Sequence, residues 1–158
     1  MLLALSTCGG TASEPLNSGV FIDSVVEGLE FQSGNRSGAT DASGTFYYKD
    51  NEAIAFSVGG LAIGTSTSPK ELMTPIDLVD SANSFVTHPT VANICRLLQT
   101  LDEDGNPDNG ILISKTIRDK IRALVDQGLQ IDFDVMPAAF GSQAGVLTLL
   151  SQLNAAGV

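Results

Sequence analysis

The sequence predicts an α+β fold, in which an N-terminal antiparallel β-sandwich or small sheet is followed by a three- to four-helix C-terminal lobe. Two observations carry this. Between residues 19 and 65 the apolar residues fall in short or alternating runs separated by Gly, Asn, Ser and Asp clusters, a strand-and-turn rhythm. Beyond residue 65 they recur at three- and four-residue intervals behind capping residues, a helical rhythm. Strands first and helices afterwards describe an α+β chain, and 158 residues suffice for a real core. The expected divisions are a partial signal segment at 1–8, a flexible tether at 9–18, a β-rich subdomain at 19–66 and a helical lobe at 67–158 packed on it.

The strand candidates in order are GVFIDSVVEG, LEFQSG, GTFYYKD, AIAFSVGG and LAIG. Thr74 and Pro75 make a good N-cap and first-turn pair for a helix over TPIDLVDSA. A second helix follows His88-Pro89, with Thr90 as its cap and Val91, Ile94, Cys95, Leu98 and Leu101 on one face. Ser114 caps a third, with Ile117, Ile121, Leu124 and Val125 inward and Gly128 at its end. LQIDFDV reads as an extended link. Ser142 opens the last helix, with Val146, Leu149, Leu150 and Leu153 aligned and Gly157 as its stop.

Within the β region, Thr40-Asp41-Ala42-Ser43-Gly44-Thr45-Phe46-Tyr47-Tyr48 is a turn with a mechanism. Asp41 can accept backbone N–H bonds across the bend, Gly44 can take a positive φ, and the aromatic run then returns to the sheet. The segment resembles the T-D-x-x-G-x-F-x-F turn of carboxypeptidase-regulatory-like and transthyretin-like β-sandwich domains. That likeness concerns fold, and it leaves Asp41 as a turn former.

At the N-terminus, a short apolar run precedes Leu5-Ser6-Thr7-Cys8-Gly9-Gly10. This resembles the lipobox of bacterial lipoproteins, which implies that Cys8 is diacylated and becomes the mature N-terminus. A basic segment and most of the apolar segment of a signal peptide are missing before it, so the true start is expected upstream. GGTASEPLNSG has the composition of a tether. No stretch reaches the ~18 consecutive apolar residues of a membrane span, so anchoring is expected through lipid alone. The order GVFIDSVVEGLEF, TDASG, FSVGGLAIG, LMTPIDLV and NICRLLQTLDEDGNPDNGI, from Gly19 to Ile113, resembles N-terminal modules of Gram-negative surface lipoproteins and secreted multidomain proteins. The resemblance implies an outer-membrane or cell-surface location and no particular activity. The abrupt end at NAAGV leaves open a longer protein with a further domain.

TLDEDGNPDNG is the most chemically pointed stretch. Asp102, Asp104, Asn106 and Asp108 alternate, the spacing by which calcium loops turn successive oxygens toward one ion. The stretch is not an EF-hand. Counted from Asp102, position twelve is Ile113; counted from Asp104, it is Lys115; an EF-hand needs a bidentate Glu there. Two readings stay open: a calcium site of those four residues, and a metal-free turn that ends a helix.

Eight basic against eighteen acidic residues give a net charge of −10, which disfavours nucleic acid and anionic lipid headgroups and favours divalent cations. Cys95 reads as a buried free thiol, and His88, the single histidine, as a loop or capping residue. The chain has no G-x-S-x-G, H-E-x-x-H or P-loop motif. The expected function is therefore a non-enzymatic, lipid-anchored envelope module with a structural, spacer or adhesive role, calcium-stabilised on the first reading of the acidic loop. Its alternatives are an accessory domain of a larger secreted hydrolase, and a small-ligand or glycan binder with Tyr47, Tyr48 and Phe56 around a pocket.

Overall fold

The structure is a computed structural model that describes residues 16–80 and 85–155. Strands lie mostly in the N-terminal half and four α-helices in the C-terminal half of the described residues, the α+β order that the sequence predicts. The strands are β1 (Asn17–Phe21), β2 (Val26–Glu27), β3 (Glu30–Ser33), β4 (Arg36–Ala39), β5 (Thr45–Tyr48), β6 (Ile54–Val58), β7 (Leu61–Ala62), β8 (Leu72–Met73) and β9 (Ile111–Leu112). The helices are α1 (Pro89–Thr100), α2 (Lys115–Asp126), α3 (Pro137–Phe140) and α4 (Ala144–Ala155).

Three small sheets result, ordered β5-β1-β8, β2-β9 and β4-β3-β6-β7. β1 with β5, β3 with β4 and β6, and β6 with β7 pair antiparallel, with Gly19 opposite Phe46 and Phe31 opposite both Gly38 and Phe56. The two pairings that reach across the chain, β1 with β8 and β2 with β9, are parallel. Alternation decides what each strand buries. β3, β5 and β6 turn every second residue inward, so Phe31, Phe46, Tyr48, Ile54, Phe56 and Val58 are buried. Phe46 sits at the centre, with ring centroids 5.3 Å from Phe56, 5.8 Å from Tyr48 and 6.3 Å from Phe31. These rings share one core with Ile94 and Leu98 of α1, Ile117 and Ile121 of α2, and Leu149 of α4.

Several expected elements take a different form. The helix expected over TPIDLVDSA is a single 3-10 turn, Pro75–Leu78, held by a reciprocal bond pair in which Asp77 accepts from the Thr74 backbone N–H at 2.8 Å. Residues 81–84 of that segment lie outside the described residues. The cap of α1 is His88, not Thr90: its Nδ1 accepts from the Thr90 N–H at 3.3 Å, with Pro89 in the first turn. Leu97 rather than Cys95 completes the inward stripe of α1, and Cys95 is only half-buried. The last helix starts at Ala144 rather than Ser142, after the unexpected short α3. Gly157, its expected stop, lies outside the described residues.

Other readings hold closely. Ser114 caps α2, accepting from the Ile117 N–H, and Ile117 and Ile121 are buried beneath it. The helix closes with Gly128 N–H bonded to the Val125 carbonyl and Leu129 N–H to the Leu124 carbonyl, the paired C-terminal bonds of a Schellman motif. The link after it, expected to be extended, forms no strand and bends at residues 133–135, where Asp134 N–H turns back to Asp132 Oδ1 at 2.8 Å and Asn93 pins the chain. That side chain is fully buried in α1 and donates to the Phe133 and Val135 carbonyls at 2.9 and 2.8 Å. No described helix is long and apolar enough to cross a membrane.

Candidate functional site

Three short segments meet beside the β2-β9 pair: the turn after β2, the Asp41 turn and the acidic loop after α1. The first is tied by Thr40. Its Oγ1 accepts from Leu29 N–H at 2.9 Å and donates to the Val26 carbonyl at 2.6 Å, spanning Gly28. Gly28 adopts φ +83°, and a Cβ there would lie 2.1 Å from the Ile113 carbonyl oxygen and 2.4 Å from Arg118 Nη1. Arg118, on α2, donates to both the Gly28 and Ile113 carbonyls, at 3.2 and 2.7 Å. One guanidinium thus fastens the sheet turn, the end of β9 and the first turns of α2 together.

Asp41 behaves as a turn former. One carboxylate oxygen accepts from the Ser43 and Thr45 N–H groups, each at 2.9 Å, and these bonds hold its carboxyl below the usual carboxylate range. Gly44, at φ +73°, completes the bend and passes its carbonyl to Phe21 N–H.

The acidic loop is organised in two parts. Asp102 is 8% exposed; its Oδ1 accepts from Leu112 N–H at 2.9 Å, which folds the loop back along β9. Its Oδ2 is buried and has no hydrogen-bond partner among the described residues. Asp104 is exposed, and its two oxygens accept from the Asn109 side-chain amide at 2.8 Å and the Asn106 N–H at 2.9 Å. The Asn109 amide, then the Asn106 N–H, hold the Asp104 carboxyl low. Asn106 and Asp108 take another role: Asn106 Oδ1 accepts from Asp108 N–H at 3.4 Å as the chain enters a 3-10 turn at Pro107–Asn109. The four alternating side chains therefore do not converge. Asp102 and Asp104 line a cavity of about 220 Å³, and Asn106 and Asp108 do not.

Glu27 lines the same cavity from β2, and the sequence reading missed it. It is brought near Asp102 by the parallel pairing of Glu27 with Leu112, a long-range contact without a local sequence signal. Among the described residues, no three His, Cys, Asp or Glu side chains already stand in a metal-holding group.

The remaining reactive groups are engaged or muted. His88 caps α1 through Nδ1. Burial first, then the Asp23 carboxylate and its hydrogen bond, pushes the Cys95 thiol up to about 12, so it stays protonated and a poor nucleophile. Burial likewise raises Asp23, partly offset by the bond from Cys95. Tyr48 and Phe56 belong to the core and only Tyr47 is exposed, so these aromatics do not form a stacking face. A cavity of about 510 Å³ lies between α2 and the β3-β4 surface, and its charged residues are engaged: Arg122 pairs with Glu30, Lys115 with Asp119, and Arg118 bonds the Gly28 and Ile113 carbonyls. Cys8, the expected lipidation site, lies outside the described residues.

Comparison with family models, curated proteins and solved structures finds no match to this chain.

Proposed function

We propose that the protein is a non-enzymatic, lipid-anchored module of the bacterial cell envelope, carried at the outer membrane or cell surface on Cys8 and serving as a spacer or adhesive domain. The observation that carries this reading is where the chemically capable side chains spend their bonds. Asp41, His88, Ser114, Thr40 and Arg118 each bond the backbone of a turn, cap or strand end, the arrangement of a module whose polar residues serve its own architecture. The likeness of Leu5-Ser6-Thr7-Cys8 to a lipobox supports the anchor, and the small polar stretch after it supports a stand-off from the membrane. The net charge of −10 suits a surface that repels anionic headgroups while a lipid holds it near them.

The test is fractionation of the native cells, with the gene at its own locus, combined with protease treatment of intact cells. The protein is expected in the membrane fraction, and Cys8→Ser is expected to move it to the soluble fraction with its fold intact. Recovery of the wild-type protein from the cytoplasm would refute the reading.

A further inference from the structure

We propose that the cavity between the acidic loop and the β2-β9 pair is a calcium site whose protein ligands are Asp102, Asp104 and Glu27, with Asn106 and Asp108 outside it. The proposal stands independently of membrane anchoring. It begins from Asp102 Oδ2, a carboxylate oxygen removed from water and left without a hydrogen-bond donor. Burying such an oxygen unpaired is costly, and the cost is met in proteins by a proton, a cationic side chain or a metal ion. No basic side chain lines this cavity. The neighbouring group on the same cavity is Asp104, a second acceptor, whose oxygens are held by the Asn106 N–H and the Asn109 amide. Two carboxylates side by side without a donor between them repel each other and attract a cation.

The third charge comes from Glu27, across the cavity on β2. Its backbone is fixed there, because its carbonyl accepts from Ile113 N–H at 3.0 Å. A side chain of that length can swing onto an ion that the two aspartates have attracted. Hard oxygen donors with no imidazole or thiolate select calcium or magnesium over zinc. Between those two, an adaptable set of side chains with space for several waters suits calcium, which accepts irregular six- to eight-fold coordination, whereas magnesium demands a near-ideal octahedron. A cavity of about 220 Å³ holds several waters beside the ion. Three carboxylates completed by water place the affinity with extracellular calcium modules, about 10⁻⁴–10⁻³ M. The bound ion would tie the loop after α1 to β2.

Calcium titration of the full chain, followed by calorimetry and by melting temperature, tests this. The wild-type protein is expected to bind one ion and melt higher as calcium is raised into the millimolar range. Glu27→Gln and Asp102→Asn are expected to weaken binding by about tenfold or more, and Asp108→Asn by less than about twofold. Glu27→Gln, at a half-buried strand position away from the core, is expected to keep the calcium-free melting temperature, so its effect reads binding rather than folding. Absence of heat and of any melting shift at about 10 mM calcium, or loss of binding in Asp108→Asn but not in Glu27→Gln, would overturn the assignment.

Discussion

Phe46→Ala is expected to destabilise the protein by about 3–5 kcal/mol, a large part of the ~5–15 kcal/mol that holds a domain of ordinary size together. Phe46 is completely buried, and its ring touches rings from three other strand positions, Phe31, Tyr48 and Phe56. The cavity left by alanine would open where the two larger sheets share their core, and the facing strands β3 and β6, each paired on both sides, cannot collapse to fill it. The adjacent Tyr47 points the other way and is 45% exposed. Tyr47→Ala is therefore expected to change stability by only about 0.5 kcal/mol. Urea denaturation of the two variants measures the contrast.

Gly28→Ala is the second large effect, and its origin is geometric. At φ +83° any residue with a Cβ incurs about 1–2 kcal/mol from the left-handed backbone. The contacts at 2.1 Å to the Ile113 carbonyl and 2.4 Å to Arg118 Nη1 add an overpacking cost of about 1–3 kcal/mol, because the first of these is backbone and cannot rotate away. Gly105→Ala provides the comparison. Gly105 also has a positive φ, +68°, yet a Cβ there meets nothing within 4 Å, so only the backbone cost of about 1–2 kcal/mol is expected. Equal losses in the two variants would mean that the close approach of Gly28 to α2 and β9 does not matter for stability.

Local chemistry was readable from the sequence, and long-range pairing was not. The Asp41 turn is written in adjacent residues, and its bonds form as the residue types require. The cap and apolar stripe of α2 are equally local. The α1 cap was misplaced on Thr90 although the signal was local: a proline suits the first turn of a helix, so Pro89 marks His88 before it as the cap. β4 escaped because Arg-Ser-Gly-Ala has no apolar alternation; it is an edge strand that buries little and takes its place from pairing with β3. β8 and β9 are two-residue strands placed by partners far away in the chain. The candidate site divides the same way. Asp102 and Asp104 announce themselves in sequence, while alternation alone cannot tell that Asn106 and Asp108 turn into a 3-10 segment. Glu27 and Arg118 matter only because the fold brings β2, β9 and α2 together.

These polar residues join the sheets and the helices into one structural unit. The chain offers a clean probe, because it has two tyrosines and no tryptophan, and both tyrosines stand on β5. Near-ultraviolet circular dichroism of tyrosine then follows the sheet, while far-ultraviolet ellipticity is dominated by the helices, which lie in the C-terminal half. Urea unfolding read by both signals is expected to give coincident transitions with one midpoint. Separate midpoints, with the helical signal lost while the tyrosine signal persists or the reverse, would contradict the account.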